Sequence, residues 1–245
     1  MGRITDAVKH LIIINVIFFA AGPLLGSNLS EWLALYFPKN DHFGFWQFVT
    51  HMFMHGSFMH ILFNMYALWA FGTPLEQMWG RNKFLFFYFS AGIGAGIIYT
   101  LVNYYQFNGV YQDLLQIGLS EGDIQQMLLS GQYNSNILTQ ITEKQISNFY
   151  QIYHTPAVGA SGAIYGVLVA FGMSFPNAKL ALIFLPVPIS AKYFIPVLIA
   201  LDLFSGVTGF SLFGGGIAHF AHVGGAIIGF AIMQYWKKNQ FNRWN

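Results

Sequence analysis

The amino-acid sequence predicts an all-α, polytopic membrane protein in which six transmembrane helices form one bundle. Of its 245 residues, 55% are hydrophobic and 8% are charged, whereas soluble domains carry about 25% charged residues. So few charges could not cover the surface of a soluble protein of this size. Phe and Gly each contribute 26 residues, as expected where helices face lipid and pack closely.

Six apolar stretches define the predicted helices, and each approaches the length of about 20 residues that crosses a bilayer. They cover residues 10–28, 48–72, 84–105, 157–175, 191–210 and 217–236. The first stretch is too long for a signal-peptide core and lacks a small-residue cleavage site, so we expect a retained helix. Residues 1–245 are therefore predicted to form a single membrane domain.

Basic side chains predict the orientation of the bundle. Six spans bring both termini to one side of the membrane, and all of the 11 basic residues except Lys39 and Lys144 fall on that side. The positive-inside rule then puts both termini in the cytoplasm. We expect an integral protein of a bacterial cytoplasmic membrane, with its functional site opening to the outer face.

Two segments on the non-cytoplasmic side are long. Residues 29–47 are interpreted as an interfacial first loop, and residues 106–155 as a polar insert between the third and fourth spans. Within the insert, Ser120 and Thr142 each begin a capping-box pattern that opens a short helix. A solvated spacer is the favoured interpretation of the insert, and a lid or a substrate-recruiting element is the alternative.

Ser161 lies at the start of the fourth apolar stretch, in the run Gly159-Ala-Ser161-Gly162. Gly162 and Gly166 form a GxxxG pattern, so helix packing alone would explain small residues here. The same glycines permit a tight turn at the helix start, where free N–H groups and the helix dipole favour an anion. A serine at this point is well placed to attack a carbonyl and to stabilise the oxyanion through its own N–H.

His222 supplies the imidazole that a serine nucleophile needs. It lies three residues before Gly225 and seven before Gly229, so the three residues share one helical face. If this face packs on the GxxxG face of the fourth stretch, Ser161 and His222 come into contact without needing an aspartate. A histidine bonded to a backbone carbonyl is the structural alternative, although an ionisable residue inside a membrane is a functional candidate by default.

The second apolar stretch adds polar side chains at helical spacing. His60 and Asn64 lie four residues apart and point the same way, which suits a pair of oxyanion donors. The histidines of the second and sixth stretches could alternatively ligate a metal ion: His51, His55, His219 and His222. Because these stretches contain neither a His-Glu-x-x-His motif nor a carboxylate, we predict no metal site. The absence of cysteine excludes disulfides and thiolate ligands.

Three motifs, in this order, resemble the rhomboid family of intramembrane serine proteases. They are His55-Gly-Ser-Phe-Met-His60-Ile-Leu-Phe-Asn64, then Gly159-Ala-Ser161-Gly162 with Tyr165, then Ala221-His222-Val-Gly-Gly225-Ala-Ile-Ile-Gly229. The resemblance covers roughly residues 10–105 and 156–236 and leaves the insert unaccounted for. It implies an intramembrane serine endopeptidase whose partners are transmembrane protein substrates, with no cofactor and no nucleic-acid partner.

The resemblance also implies a role for each matching residue. Ser161 is the expected nucleophile and His222 the general base, in a dyad with no third acid. His60 and Asn64, with the Ser161 N–H, are expected to form the oxyanion hole. The supporting residues are His55 under the first loop, Tyr165 stacked on the base, Gly159 and Gly162 beside the serine, and Gly225 and Gly229 at the helix contact.

Two further features belong to the same resemblance. Glu76 resembles a glutamate that follows the second span in related bacterial enzymes, and the glycine-rich stretch 206–216 is interpreted as a mobile cap over the site. A non-catalytic relative that binds transmembrane helices is the alternative function, and its signature would be loss of the serine or the histidine. A small channel or transporter is disfavoured because the polar residues cluster near the outer ends of the spans.

Overall fold

The structure, a computed structural model, describes residues 3–182, 185–210 and 218–241, most of which are helical. In chain order the helices are α1 (Asp6–Leu25), α2 (Ser27–Leu33), α3 (Gln47–Thr50), α4 (Phe58–Ala67), α5 (Thr73–Trp79), α6 (Arg81–Gln116), α7 (Glu121–Ser130), α8 (Glu143–His154), α9 (Ser161–Ser174), α10 (Ala191–Thr208) and α11 (His219–Phe241). Two 3-10 turns cover His51–Phe53 and Ser135–Thr139, and a π-helical turn at Leu68–Gly72 joins α4 to α5. Each of the six apolar stretches thus overlaps a helix.

Three helices in the described part of the chain are long and apolar enough to cross a membrane, namely α1, α6 and α10. Helix α9 is apolar but has 14 residues. That length corresponds to about 21 Å, against a hydrocarbon core of about 30 Å. The length and apolar composition of these helices indicate a membrane protein. The count of six spans stays a prediction.

Two predicted helix boundaries are wrong. The second stretch, 48–72, does not begin as one helix, because the chain is extended at Met54 and at Ser57 before α4 begins. The hydroxyl of Ser57 accepts the N–H of His60 at 3.2 Å and caps α4. The third stretch continues as helix to Gln116 and so enters the segment predicted to be a polar insert.

The described fold is mostly helical, and its two strands form a β-hairpin that follows α9. Strand β1 (Lys179–Leu182) pairs antiparallel with β2 (Leu185–Ser190). Lys179 lies opposite Ser190 in this pairing. Because proline lacks an N–H and breaks a helix interior, Pro186 and Pro188 favour an extended strand over a continuation of helix.

Helix α9 lies in the core of the bundle and packs against α6, α10 and α11. Its residues Ala163, Val167 and Ala170 are at most 1% exposed. A helix that is hydrophobic on all sides is typical of a buried position. Because α9 is covered by other helices, the thickness of a bilayer does not determine its length.

Helices α9 and α11 touch through glycine. A Cβ added to Gly225 would overlap the carbonyl oxygen of Gly162, and one added to Gly229 would lie 2.6 Å from the Cα of Gly166. On the α6 side, a Cβ added to Gly166 would lie 2.6 Å from the Cβ of Ala91. The two GxxxG faces identified in the sequence are therefore in direct contact.

Glu76, at 6% exposed, anchors the beginning of α1. Its carboxylate accepts the backbone N–H groups of Ala7 at 2.8 Å and Val8 at 2.9 Å, and the hydroxyl of Thr5 at 2.5 Å. The first N–H groups of a helix have no partner within the helix and carry the positive end of its dipole. The buried carboxylate therefore caps α1 from α5 and joins the two helices.

The first loop is tied to the segment that leads into α9. Leu35 and Ala157 exchange two backbone hydrogen bonds, at 2.9 and 2.8 Å. Gln47 is fully buried, accepts the N–H of Tyr36 at 3.1 Å and donates to the carbonyl of His42 at 2.7 Å. These bonds give the loop a defined conformation and connect it to the chain four residues before Ser161.

Two tryptophans lie on the outside of this loop. Trp32 and Trp46 are 70% and 53% exposed, and the indole N–H of Trp46 donates to the carbonyl of Trp32 at 2.7 Å. Indole rings prefer the boundary between lipid and water. Their exposure favours the interfacial location expected of residues 29–47.

The insert packs around a hydrophobic core to which the first loop contributes Phe37. The core residues are Phe37, Phe107, Leu114, Ile124, Met127, Leu128, Ile137, Ile141, Ile146, Phe149 and Ile152. Both capping boxes, at Ser120 and Thr142, are present, and hydrogen bonds from Ser120 hold the pKa of Asp123 below its usual range. The rings of Phe107 and Phe149 stack with centroids 4.2 Å apart. The insert is therefore a packed module, which a solvated spacer would not require.

Residues 211–216 of the predicted cap lie outside the described residues. Helix α10 ends at Thr208, and the next described segment begins at Ala218. The described part of the predicted cap, residues 206–210, therefore consists of the last turn of α10 and the two residues after it.

Gly225→Ala should lower the melting temperature of the protein in detergent micelles, because the new Cβ would force α9 and α11 apart. The expected loss of stability is about 1–3 kcal/mol. Gly109→Ala is the matched control, since nothing lies within 4 Å of a Cβ added to this glycine of α6. The control should be neutral or stabilising, because alanine favours helix over glycine. Equal melting temperatures for the two variants would contradict the close backbone contact.

Glu76→Gln should destabilise the protein by about 1–3 kcal/mol, because an amide keeps one acceptor oxygen and turns an NH₂ group toward donors. Thermal unfolding followed by circular dichroism measures the change. Glu121→Gln removes an exposed carboxylate from α7 and should change the stability by less than about 0.5 kcal/mol. Indistinguishable unfolding curves for these two variants would show that Glu76 does not anchor α1.

Candidate active site

Ser161 is the first residue of α9, and the turn before it depends on glycine. Gly159 has φ +124°, a conformation that residues with a Cβ rarely adopt. Its N–H donates to the carbonyl of His51 at 2.9 Å, which holds this turn against the 3-10 turn His51–Phe53. Among the described residues, no side chain caps the N-terminus of α9. The N–H groups of its first turn are therefore available to an anionic group.

His222 meets Ser161 across the contact of α9 and α11. Its Nε2 lies 2.8 Å from the Ser161 Oγ, which is a hydrogen-bond distance. Both residues lie in the first turn of their helices, and the glycine contact brings the two helices together just beyond them. The structure thus brings together the two residues that the sequence predicts as nucleophile and base.

Tyr165 lies one helical turn after Ser161, and its ring covers one face of the His222 imidazole. The two ring centroids are 4.2 Å apart and the planes differ by 12°. Stacking at this distance restricts rotation of the imidazole about χ2 while leaving both ring nitrogens accessible. The location of Tyr165 agrees with the role that the resemblance implies.

His60 and Asn64, predicted as oxyanion donors, lie on α4. A Cβ added to Gly159 would be 2.7 Å from the Nε2 of His60, so the imidazole reaches the turn that leads to Ser161. Asn64 is 6% exposed, and its amide nitrogen has no hydrogen-bond partner within the described residues. Buried polar atoms normally have a partner. A buried donor without one is suited to receive the oxygen of a bound ligand.

Within the described residues no hydrogen bond joins His55 to the first loop, and its support of that loop stays a prediction. Neither of its ring nitrogens has a partner in the part of the chain that the structure describes. Its ring instead meets that of His60 edge-on, with centroids 5.0 Å apart. His51 takes the loop contact, because its Nδ1 lies 2.7 Å from the carbonyl of Gln47. His55 therefore packs against a predicted oxyanion donor.

An aspartate that the sequence analysis does not single out lies beside the pair. Asp202, on α10, is 7% exposed, and its Oδ1 lies 3.2 Å from the Nδ1 of His222 and 2.6 Å from that of His219. Tyr165 donates its hydroxyl proton to the Oδ2 of the same carboxylate. The expectation of a dyad with no third acid therefore does not describe this arrangement. An acid within the apolar stretch 191–210 is the signal that could have identified it.

The same aspartate changes the argument about a metal. The prediction of no metal site rests on the absence of a carboxylate near the histidines, yet ligand atoms of Asp202, His219 and His222 lie within 4.8 Å of one another. Their separations of 2.6 and 3.2 Å are those of hydrogen bonds. The carboxylate of Asp202 is thus hydrogen-bonded to the two imidazoles. The absence of a metal stays a prediction.

Known proteins that are similar in sequence to this chain are all named as rhomboid proteins in the matches below. A family model of the rhomboid domain matches residues 42–238. The chain is 30% identical over 136 residues to Rhomboid protein 1, mitochondrial, of Saccharomyces cerevisiae, across 56% of this chain and 27% of that protein. It is 30% identical over 166 residues to Presenilin-associated rhomboid-like protein A, mitochondrial, of Danio rerio, across 67% of this chain and 32% of that protein.

The matched region of the family model includes α3 to α11 and with them every residue of the predicted site. The aligned part spans about a third or less of the length of either curated relative. The apolar helices α1, α6 and α10 agree with a protein embedded in a membrane. This chain is an integral membrane protein that belongs to the rhomboid family.

Proposed function

We propose that this protein is an intramembrane serine endopeptidase in which Ser161 is the nucleophile and His222 is the general base. The observation that carries the proposal is the distance of 2.8 Å between the Ser161 Oγ and the His222 Nε2. A serine hydroxyl is a weak nucleophile until an adjacent base accepts its proton. Membership of the rhomboid family supports the same assignment.

The reaction proceeds through an acyl-enzyme. As the Ser161 Oγ attacks the carbonyl carbon of the substrate, its proton moves to the His222 Nε2 and the carbonyl oxygen becomes an oxyanion. His222 then gives this proton to the leaving amine nitrogen, the C–N bond breaks, and the acyl group stays on the serine. Water attacks the ester in the second half, and the same imidazole accepts and returns the proton.

The oxyanion is stabilised by donors from two helices. The N–H of Ser161 lies at the uncapped start of α9, where the helix dipole favours negative charge. The imidazole of His60 approaches the turn before α9. The amide nitrogen of the buried Asn64 has no partner within the described residues and can donate to the oxyanion. Donors fixed before the reaction contribute most in a site from which water is excluded.

The substrates are transmembrane segments of other proteins. A peptide bond inside a regular helix has its carbonyl oxygen bonded within the helix, and lipid offers no replacement for that bond. A substrate helix must therefore unwind locally beside Ser161. We expect preferred substrates to carry small or helix-breaking residues at that point.

The location and orientation are part of this proposal. The distribution of basic residues supports cytoplasmic termini and a site that opens to the opposite face, as in a bacterial cytoplasmic membrane. The two relatives named above are mitochondrial by name. The orientation can be tested by fusing to the C-terminus a reporter enzyme that is active only in the cytoplasm or one that is active only after export. Activity of the second reporter would overturn the proposed cytoplasmic location of the termini.

A fluorophosphonate probe should label the protein in detergent or liposomes, and Ser161→Ala and His222→Ala should abolish labelling. The probe reacts only with an activated serine, so labelling reports both the nucleophile and its base. Ser205→Ala is the matched control, because Ser205 is a buried serine of α10 that has no role in the proposed reaction. Failure of the folded wild type to react in liposomes would favour a non-catalytic protein that binds transmembrane helices.

Asn64→Ala should lower the first-order rate constant of fluorophosphonate labelling by about 10²-fold, because one oxyanion donor is lost. The concentration of probe at half-maximal rate should change little. Asn15→Ala is the control, since this change removes a buried amide whose nitrogen donates to the carbonyl of Leu11 within α1. An equal loss of labelling rate in both variants would show that Asn64 stabilises the fold and does not act as an oxyanion donor.

A further inference from the structure

We propose that Asp202 positions His222 for catalysis, so that the site works as a chain of Ser161, His222 and Asp202. This inference rests on the endopeptidase function proposed above and extends it by one residue. It departs from the dyad that the family resemblance implies, and the reason lies in the contacts of this particular carboxylate.

The two ring nitrogens of His222 face different partners. A neutral imidazole has one N–H and one lone pair, and only the nitrogen with the lone pair can accept the serine proton. An ionised carboxylate can only accept, so Asp202 Oδ1 at 3.2 Å from Nδ1 assigns the N–H to that nitrogen. The Nε2, 2.8 Å from the Ser161 Oγ, then has the lone pair that the reaction needs.

The carboxylate of Asp202 is held in place by hydrogen bonds. Asp202 is almost fully buried, and a buried carboxylate is stable only when it is hydrogen-bonded. It has three neighbours that provide this: His219 and His222 at Oδ1, and the Tyr165 hydroxyl at Oδ2. The donors come from α9 and α11, so the carboxylate on α10 is fixed relative to both helices of the reacting pair.

Tyr165 links the two effects. Its ring stacks on His222 with centroids 4.2 Å apart, while its hydroxyl donates to the carboxylate that faces the same imidazole. One side chain therefore fixes the plane of the base and the location of its partner. When His222 accepts the serine proton it becomes an imidazolium, whose charge the carboxylate stabilises while the second proton stays on Nδ1.

A purely structural role for Asp202 is the competing explanation. Its shorter contact is with His219, at 2.6 Å, and this bond alone would join α10 to the start of α11. The two explanations differ in their dependence on His219. A positioning role requires the contact with His222, whereas a structural tie requires the contact with His219.

The test compares Asp202→Asn with His219→Asn in fluorophosphonate labelling. Asparagine keeps the shape of the side chain but presents an NH₂ as readily as an oxygen, so His222 loses its preferred tautomer. Asp202→Asn should lower the rate constant of labelling by about 10²-fold or more, with the half-saturating probe concentration unchanged. His219→Asn leaves Asp202 facing His222 and should lower it less than about fivefold. Equal losses in the two variants would overturn the positioning role.

A second measurement does not depend on any variant that alters Asp202. Nitrogen NMR of ¹⁵N-histidine-labelled protein, with His222 assigned by comparison with His222→Gln, reports which nitrogen holds the proton. Protonated Nδ1 supports the proposal, and protonated Nε2 in the folded wild type overturns it. Failure of the wild type to react with fluorophosphonate would instead overturn the proposed endopeptidase function. The NMR result would still show whether Asp202 holds the proton of His222 on Nδ1.

Discussion

The close approach of α9 and α11 is the constraint on which the rest of the structure depends. Between helices surrounded by lipid, the hydrophobic effect supplies little attraction, so association relies on packing at short range. Glycines at the crossing let the two backbones touch. This contact determines the separation between the first turns of the two helices, which carry Ser161 and His222. A side chain at the crossing would increase that separation and break the hydrogen bond of 2.8 Å between them.

Buried polar groups serve the architecture in some parts of this bundle and lack partners in others. Glu76 and Gln47 have several partners each and serve the architecture, one at the start of α1 and the other in the first loop. Asn64 and His55, in contrast, have polar atoms without a partner within the described ranges. An unpaired buried donor costs about 1–3 kcal/mol. Such a cost is consistent with a site that completes its hydrogen bonds only when a substrate is bound.

Helical periodicity predicts that Ser161 meets His222 if the two GxxxG faces pack together, because residues three, four and seven apart share a face of any α-helix. The contribution of Asp202 depends on how α10 lies against its neighbours, which no local spacing encodes. Apolar composition likewise identifies the buried segments without defining where a helix begins. The chain becomes extended at Met54, inside an apolar stretch, and the β-hairpin after α9 contains Pro186 and Pro188, whose positions the mean composition of a stretch does not register.

The backbone pairing of Leu35 with Ala157 limits where this chain tolerates changes of length. The segment from Ala157 to Ser161 is held by that pairing and by the N–H of Gly159. One added residue would advance an extended chain by about 3.3 Å and carry the serine away from its base. In the insert, by contrast, residues 131–136 after α7 are exposed. Insertions and deletions among homologues should therefore accumulate in the insert and spare the five residues that end at the serine.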